Sequence, residues 1–144
     1  MDADAAARPI NLHQTRVRSH QTDINGHMYH GRFLDVFDDA RIEMFRRLDY
    51  TWADVVQEGW NLVIHRVDCT FHAPAQLDDV LTISVHILGF SRATMSARYK
   101  CRRDGVLLAE GQIVYAFVNG SGRPLRVPSR VRQVVEEHDL LALT

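Results

Sequence analysis

Residues 21–48 read "QTDINGHMYHGRFLDVFDDARIEMFRRL", and the change of character within this stretch decides the fold. Its second half is periodic. Phe33, Phe37, Ala40, Met44 and Leu48 recur at steps of three and four, which places them on one stripe of a helix of about four to five turns. The opposite side carries Asp35, Asp39, Glu43, Arg46 and Arg47, with Glu43 and Arg47 at the i,i+4 spacing of an ion pair. The first half has no period. It packs an aspartate, two histidines, a tyrosine and two glycines into residues 21–33, ahead of a helix start whose unpaired amides and dipole favour negative charge. Asn25-Gly26 is a turn pair, so Asp23 has an ordinary structural reading as an Asx-type turn. It also has a chemical one: long irregular loops in compact domains are often functional, and His27 and His30 bring groups suited to proton transfer.

Working outward, residues 11–20 predict a short strand, and "TWADVVQEG" a second, short helix. Thr51 is its N-cap, Asp54 falls three residues later and Gly59 ends it. From residue 61 the period drops to two. Val63, Val67, Cys69 and Phe71 share a face in the first of four strands, with His65 among them; Leu81, Ile83, Val85 and Ile87 share one in the next. Ala93, Met95, Ala97, Tyr99 and Cys101 alternate with Arg92, Arg98, Lys100 and Arg102. "RDGV" is a tight hairpin turn, and Leu107, Ala109, Ile113, Tyr115 and Phe117 alternate in the last strand. A closing helix is expected after Pro128 with Ser129 as its cap. Clean alternation predicts an antiparallel sheet with one covered face, hence an α+β fold. Val114, Ala116 and Val118 on the other face invite a second subunit.

The 144 residues suit one domain, read as 11–144 behind a flexible N-terminal tail at 1–10. A net charge of −1 gives no field for nucleic acid or an anionic membrane. No apolar run approaches the ~18 residues of a membrane span. The start lacks the basic flank and apolar core of a signal peptide, so the cytoplasm is the expected compartment. Cys69 and Cys101 fit no ligand or redox spacing and read as buried free thiols. His20, His27 and His30 lack a fourth metal ligand, so no metal is expected. There is no G-x-S-x-G elbow and no phosphate-binding glycine loop.

"TDINGHMYHGRFLDVFDDAR" resembles the signature of hotdog-fold acyl-CoA thioesterases of the 4-hydroxybenzoyl-CoA thioesterase type, through Thr22, Asp23, Gly26, Tyr29, His30, Phe33, Ala40 and Arg41. "HAPAQLDDVLTI" is similar to the family's next segment through Pro74 and Asp79, and residues 89–128 resemble its last three strands. The resemblance implies a curved antiparallel sheet of about five strands wrapped around one long central helix. It implies dimers joined edge to edge, sites at the subunit interface, and tetramers built from two dimers. It also implies hydrolysis of an acyl-CoA, with no cofactor beyond the CoA of the substrate. Asp23 is then the nucleophile or the base that activates water, and the amides around His30 and Gly31 hold the thioester oxygen as it becomes negative. The His30 side chain assists, Tyr29 and Phe33 shape the acyl pocket, and Arg92 is a candidate for the coenzyme's phosphates. Two other readings on the same fold are a non-catalytic acyl-CoA-binding module and a hydratase or dehydratase.

Overall fold

A computed structural model describes residues 9–141. These form β1 (Leu12–Arg16), α1 (Arg32–Arg47), α2 (Trp52–Glu58), β2 (Asn61–Phe71), β3 (Val80–Phe90), β4 (Thr94–Arg103), β5 (Val106–Val118) and α3 (Ser129–Glu137). The strands make one sheet in the order β1-β3-β4-β5-β2, with every neighbouring pair antiparallel. The expected tail lies outside the described residues as far as residue 8. Beyond that the chain is tied down: the Pro9 carbonyl accepts from Arg47 Nη1 at 3.0 Å, and Ile10 packs on the core.

The α1 stripe does what its period requires. Phe33, Phe37, Ala40 and Met44 are buried, joined by Val36, against a sheet face on which Leu81, Ile83, Val85 and Ile87 are fully covered. Phe37 stacks on Tyr99 at 5.0 Å between ring centres. It can do so because β5 carries glycine beneath it: a Cβ on Gly111 would lie 2.8 Å from Phe37 Cε2. Under α1 the Tyr99 and Tyr115 hydroxyls meet at 2.6 Å, Tyr115 Oη donates to Asp38 Oδ1 at 3.0 Å, and the Arg41 guanidinium lies 4.8 Å from the Tyr115 ring centre. Burial opposes the charge on Arg41, but Tyr115, Tyr99 and Asp38 together hold it above its ordinary value.

The five-stranded antiparallel sheet with helices is as expected, but a single long central helix is not confirmed. α1 has 16 residues, and α2 and α3 add seven and nine. On α1, Glu43 pairs with Arg46 one turn on. The shared face predicted for Val63 and Val67 is overturned by a bulge between Ile64 and Arg66, which shifts the phase. Val63 pairs with Ala116 on the outer side and Val67 with Ile113 on the core side. A second irregularity, beside Cys101, turns Leu108 inward. At α3 the cap position is Pro128, and Ser129 is the first helical residue. The β4–β5 turn is as predicted: Asp104 and Gly105 both have positive φ, 50° and 79°, as a two-residue hairpin loop demands. Both thiols are free. Burial pushes Cys101 up to about 12 and also raises Cys69, so neither is a ready nucleophile.

Candidate active site

The motif loop is closed on itself. Thr22 bridges Met28, Asp23 N donates to the His27 carbonyl at 2.8 Å, and Gly26 N donates to the Asp23 carbonyl at 3.0 Å with Gly26 at φ 76°. The Asp23 side chain serves the turn through one oxygen: Oδ1 accepts from Asn25 N at 2.9 Å and His27 N at 3.4 Å. Its other oxygen has no partner among the described residues, and the residue is exposed. The turn reading of Asp23 is thus met through one oxygen, and the other is left open to solvent.

The loop is docked, not loose. Met28 N donates to the Ala75 carbonyl at 2.6 Å, His27 bridges Gln76, and Tyr29 N donates to the Gln21 carbonyl at 2.8 Å. Asp79 in turn holds the 74–79 segment, accepting from Gln76 N at 2.8 Å and from Arg103 Nη1 at 2.6 Å. Burial would raise the Asp79 pKa, but these two partners bring it below the usual carboxylate range.

At the start of α1, Arg32 N donates to the Tyr29 carbonyl at 2.8 Å and Phe33 N to the His30 carbonyl at 3.2 Å. The amides just before them, of His30 and Gly31, donate to nothing among the described residues. Two adjacent unused donors at a helix N-terminus suit an oxygen that gains negative charge. Gly31 has an ordinary φ of −64°, so its value is closeness. A Cβ there would sit 3.0 Å from Tyr29 Cε1, so the Tyr29 ring lies over the glycine.

Tyr29 and His30 have ring centres 4.2 Å apart, His30 meets Phe71 edge-on at 6.1 Å, and Phe33 meets Phe71 at 5.4 Å. The structure thus gathers Asp23, Tyr29, His30, Gly31 and Phe33 at one end of α1. It adds Phe71, which the sequence reading placed on a strand but not at a site. The signal was its position just before Ala73-Pro74, where β2 ends beside the docked loop.

Arg92 is not in this group. It lies in the β3–β4 turn, where its carbonyl accepts from Val127 N at 2.9 Å. Phe71 pairs with Ala109 and Ala109 with Cys101. From Cys101 back to Thr94, beside Arg92, β4 spans about 23 Å at strand spacing. Within one chain Arg92 is at the far end of the sheet from the motif. No cluster of three or more His, Cys, Asp or Glu side chains suited to a metal ion occurs among the described residues. No helix among them is long and apolar enough to cross a membrane.

Residues 17–135 match the thioesterase-like superfamily. The chain is 28% identical over 119 residues to the acyl-CoA thioesterase YbgC of Haemophilus influenzae, covering 81% of this chain and 88% of that protein. Among solved structures, a Bartonella henselae protein described as a "Probable Thioesterase" superposes with a TM-score of 0.77 at 27% identity, covering 81% of this chain and 98% of that one. A Staphylococcus aureus protein solved in complex with CoA shares the fold, with a TM-score of 0.82 at 15% identity over 93% of this chain and 87% of that one. With a match running from β1's end into α3 and carrying the 22–41 motif on the loop and helix just described, this chain belongs to the thioesterase-like superfamily, the hotdog acyl-CoA thioesterases its sequence resembles.

Proposed function

We propose that the protein hydrolyses acyl-CoA thioesters, releasing CoA and a carboxylic acid at the motif loop. The observation that carries this reading is the pairing of an exposed carboxylate, Asp23, with two adjacent undonated amides, of His30 and Gly31, where α1 begins. The thioester oxygen is received by those amides as the carbonyl carbon becomes tetrahedral. The free oxygen of Asp23 attacks that carbon, or takes the proton of the water that does. The His30 ring, held between Tyr29 and Phe71, assists the leaving thiolate, and Phe33 with Tyr29 borders the acyl group. Residues 11–144 act as one hotdog domain whose sheet curves about α1. The acyl-CoA thioesterase named in Haemophilus supports the reaction, and the CoA-bound Staphylococcus structure supports the ligand.

The functional unit is a homodimer joined along β2, the edge strand after β5, or a tetramer of two such dimers. That joining brings Arg92 from its own sheet end toward a neighbour's coenzyme. The test is release of free thiol from acetyl-, octanoyl-, palmitoyl- and benzoyl-CoA by the intact chain. Turnover of at least one, with the carboxylic acid formed in equal amount, is expected. Silence on all four would remove the hydrolase reading.

A further inference from the structure

Of the chain's eight glycines, six have open space where a Cβ would stand. The two exceptions are Gly31, at the motif's amides, and Gly111, in β5 beneath the helix that those amides begin. Gly111 has no positive φ, so its backbone does not call for glycine. Glycine inside a strand weakens the strand and marks a close approach. Here the approach is made by Phe37. A Cβ on Gly111 would lie 2.8 Å from Phe37 Cε2 and 3.4 Å from its Cδ2, where carbons in contact stand about 3.5 to 4.0 Å apart.

Phe37 has no room to swing aside. Its ring is fully buried and stacked on Tyr99, with 15° between the ring planes. Tyr99 is fully buried too, on the strand position beside Gly111. Its hydroxyl meets that of Tyr115, and Tyr115 donates to Asp38, the next residue of α1. A side chain at 111 therefore lifts α1 from the sheet by about 1 Å. The motif loop does not follow, because its anchors are elsewhere: Met28 N on the Ala75 carbonyl and Tyr29 N on the Gln21 carbonyl. The His30 and Gly31 amides lie between the pinned Tyr29 and the first turn of α1. Gly31 is about 9 Å along the helix from Phe37. A lift of α1 with the loop held is taken up in those two peptides.

We infer that Gly111 is a positioning residue for the reaction proposed above. By carrying no side chain it seats Phe37, and with it the start of α1, so that the His30 and Gly31 amides stand where the thioester oxygen becomes negative. The inference rests on the hydrolase reading. Gly111 touches no substrate and acts only through the height of the helix. Those amides serve the transition state more than the bound substrate, so the loss on filling the space falls on kcat and not on KM.

The test is steady-state thiol release by Gly111→Ala, with circular dichroism and Tm recorded beside the parent. On folded protein kcat falls about tenfold or more while KM stays within about threefold. Shortening the ring restores the seat: Gly111→Ala combined with Phe37→Leu turns over within about threefold of Phe37→Leu alone. A glycine that served packing alone would cost Tm and leave kcat unchanged, and that result overturns the inference. A double variant no faster than Gly111→Ala overturns it as well. If Gly111→Ala does not fold, Phe37→Leu becomes the reference. Adding Gly111→Ala to it then leaves kcat within about threefold, and adding Gly111→Val lowers it about tenfold or more. Equal kcat for those two overturns the inference. If the parent chain hydrolyses no acyl-CoA, the hydrolase reading has failed, and amide NMR spectra judge the seating alone. Filling position 111 then shifts the His30 and Gly31 amide resonances and leaves those of Asn25 and Gly26 in place. Unmoved His30 and Gly31 resonances overturn it.

Discussion

At Asp79 one carboxylate ties three pieces of chain together. It accepts from Gln76 N and from Arg103, and Arg103 also donates to the Pro74 carbonyl at 3.3 Å. The 74–79 segment so fixed receives the motif loop at Met28 and His27. In the reaction proposed above, Asp79 acts through position alone. Asp79→Ala is expected to lower kcat/KM by roughly 10- to 100-fold, the cost of a displacement of about an ångström at a reacting centre. The same variant should shift Tm by only a few degrees, because the pair is only half-buried. Unaltered kcat/KM would show that the segment does not place the loop. At this scale much was legible. A lone acid two residues before Asn-Gly announces a turn, and Asp23 makes one; its neighbour motif announces the chemistry. Phe71 was not legible, because its ring contacts with His30 and Phe33 exist only once β2 is laid beside α1. The tightness at Gly111 was hidden for the same reason: nothing in a strand pattern says that Phe37 descends on it.

Among the elements, α2 is the one held by charge. It buries none of its residues fully. Arg130 on α3 reaches Glu58 at 2.7 Å and Asp54 at 3.7 Å, and its guanidinium lies 4.1 Å from the centre of the Tyr50 ring. For Glu58, burial works upward, but hydrogen bonds from Tyr50, Trp60 and Arg130 bring its pKa below the usual value. Asp54 is lowered by its bonds from the Thr51 amide and hydroxyl, then by Arg130. Depressed carboxylates stabilise the fold above their unfolded pKa values and lose that contribution as pH falls through the folded ones. Thermal stability should therefore begin to drop as pH falls below 4.5, the ordinary glutamate value. Arg130→Met should lower Tm by about 3 °C at pH 7. The gap between variant and parent should narrow as pH falls through the depressed folded-state pKa values of Glu58 and Asp54, where the carboxylates take up protons. A gap that stays constant across that range would show that Arg130 acts by packing on Tyr50 and not by charge. Element ends were legible where local chemistry sets them: the Thr51–Asp54 bond at 2.8 Å opens α2, Gly59 at φ 78° closes it, and Asp104-Gly105 turns β4 into β5. The bulge between Ile64 and Arg66 was not, since an extra residue in a strand leaves the composition of the strand unchanged while reversing its faces.

For the whole molecule, alternation announced an antiparallel sheet under a helical stripe, but not the strand order. That order depends on which edges meet, and periodicity carries no such information. It matters here because it leaves β2 at an edge, with Phe71 at its end against the motif residues His30 and Phe33. The motif and its spacing carried the family. One carboxylate in an otherwise ordinary turn carries the proposed chemistry. Asp23→Asn keeps the side chain's shape and its acceptor for Asn25 N, so the loop is expected to stay closed. The decisive measurement is kcat for thiol release by Asp23→Asn beside the parent chain, with circular dichroism and Tm recorded on both. A fall in kcat of at least about 100-fold with the fold retained is the predicted result. Turnover within a few-fold of the parent would contradict it and leave the carboxylate as a turn-former only.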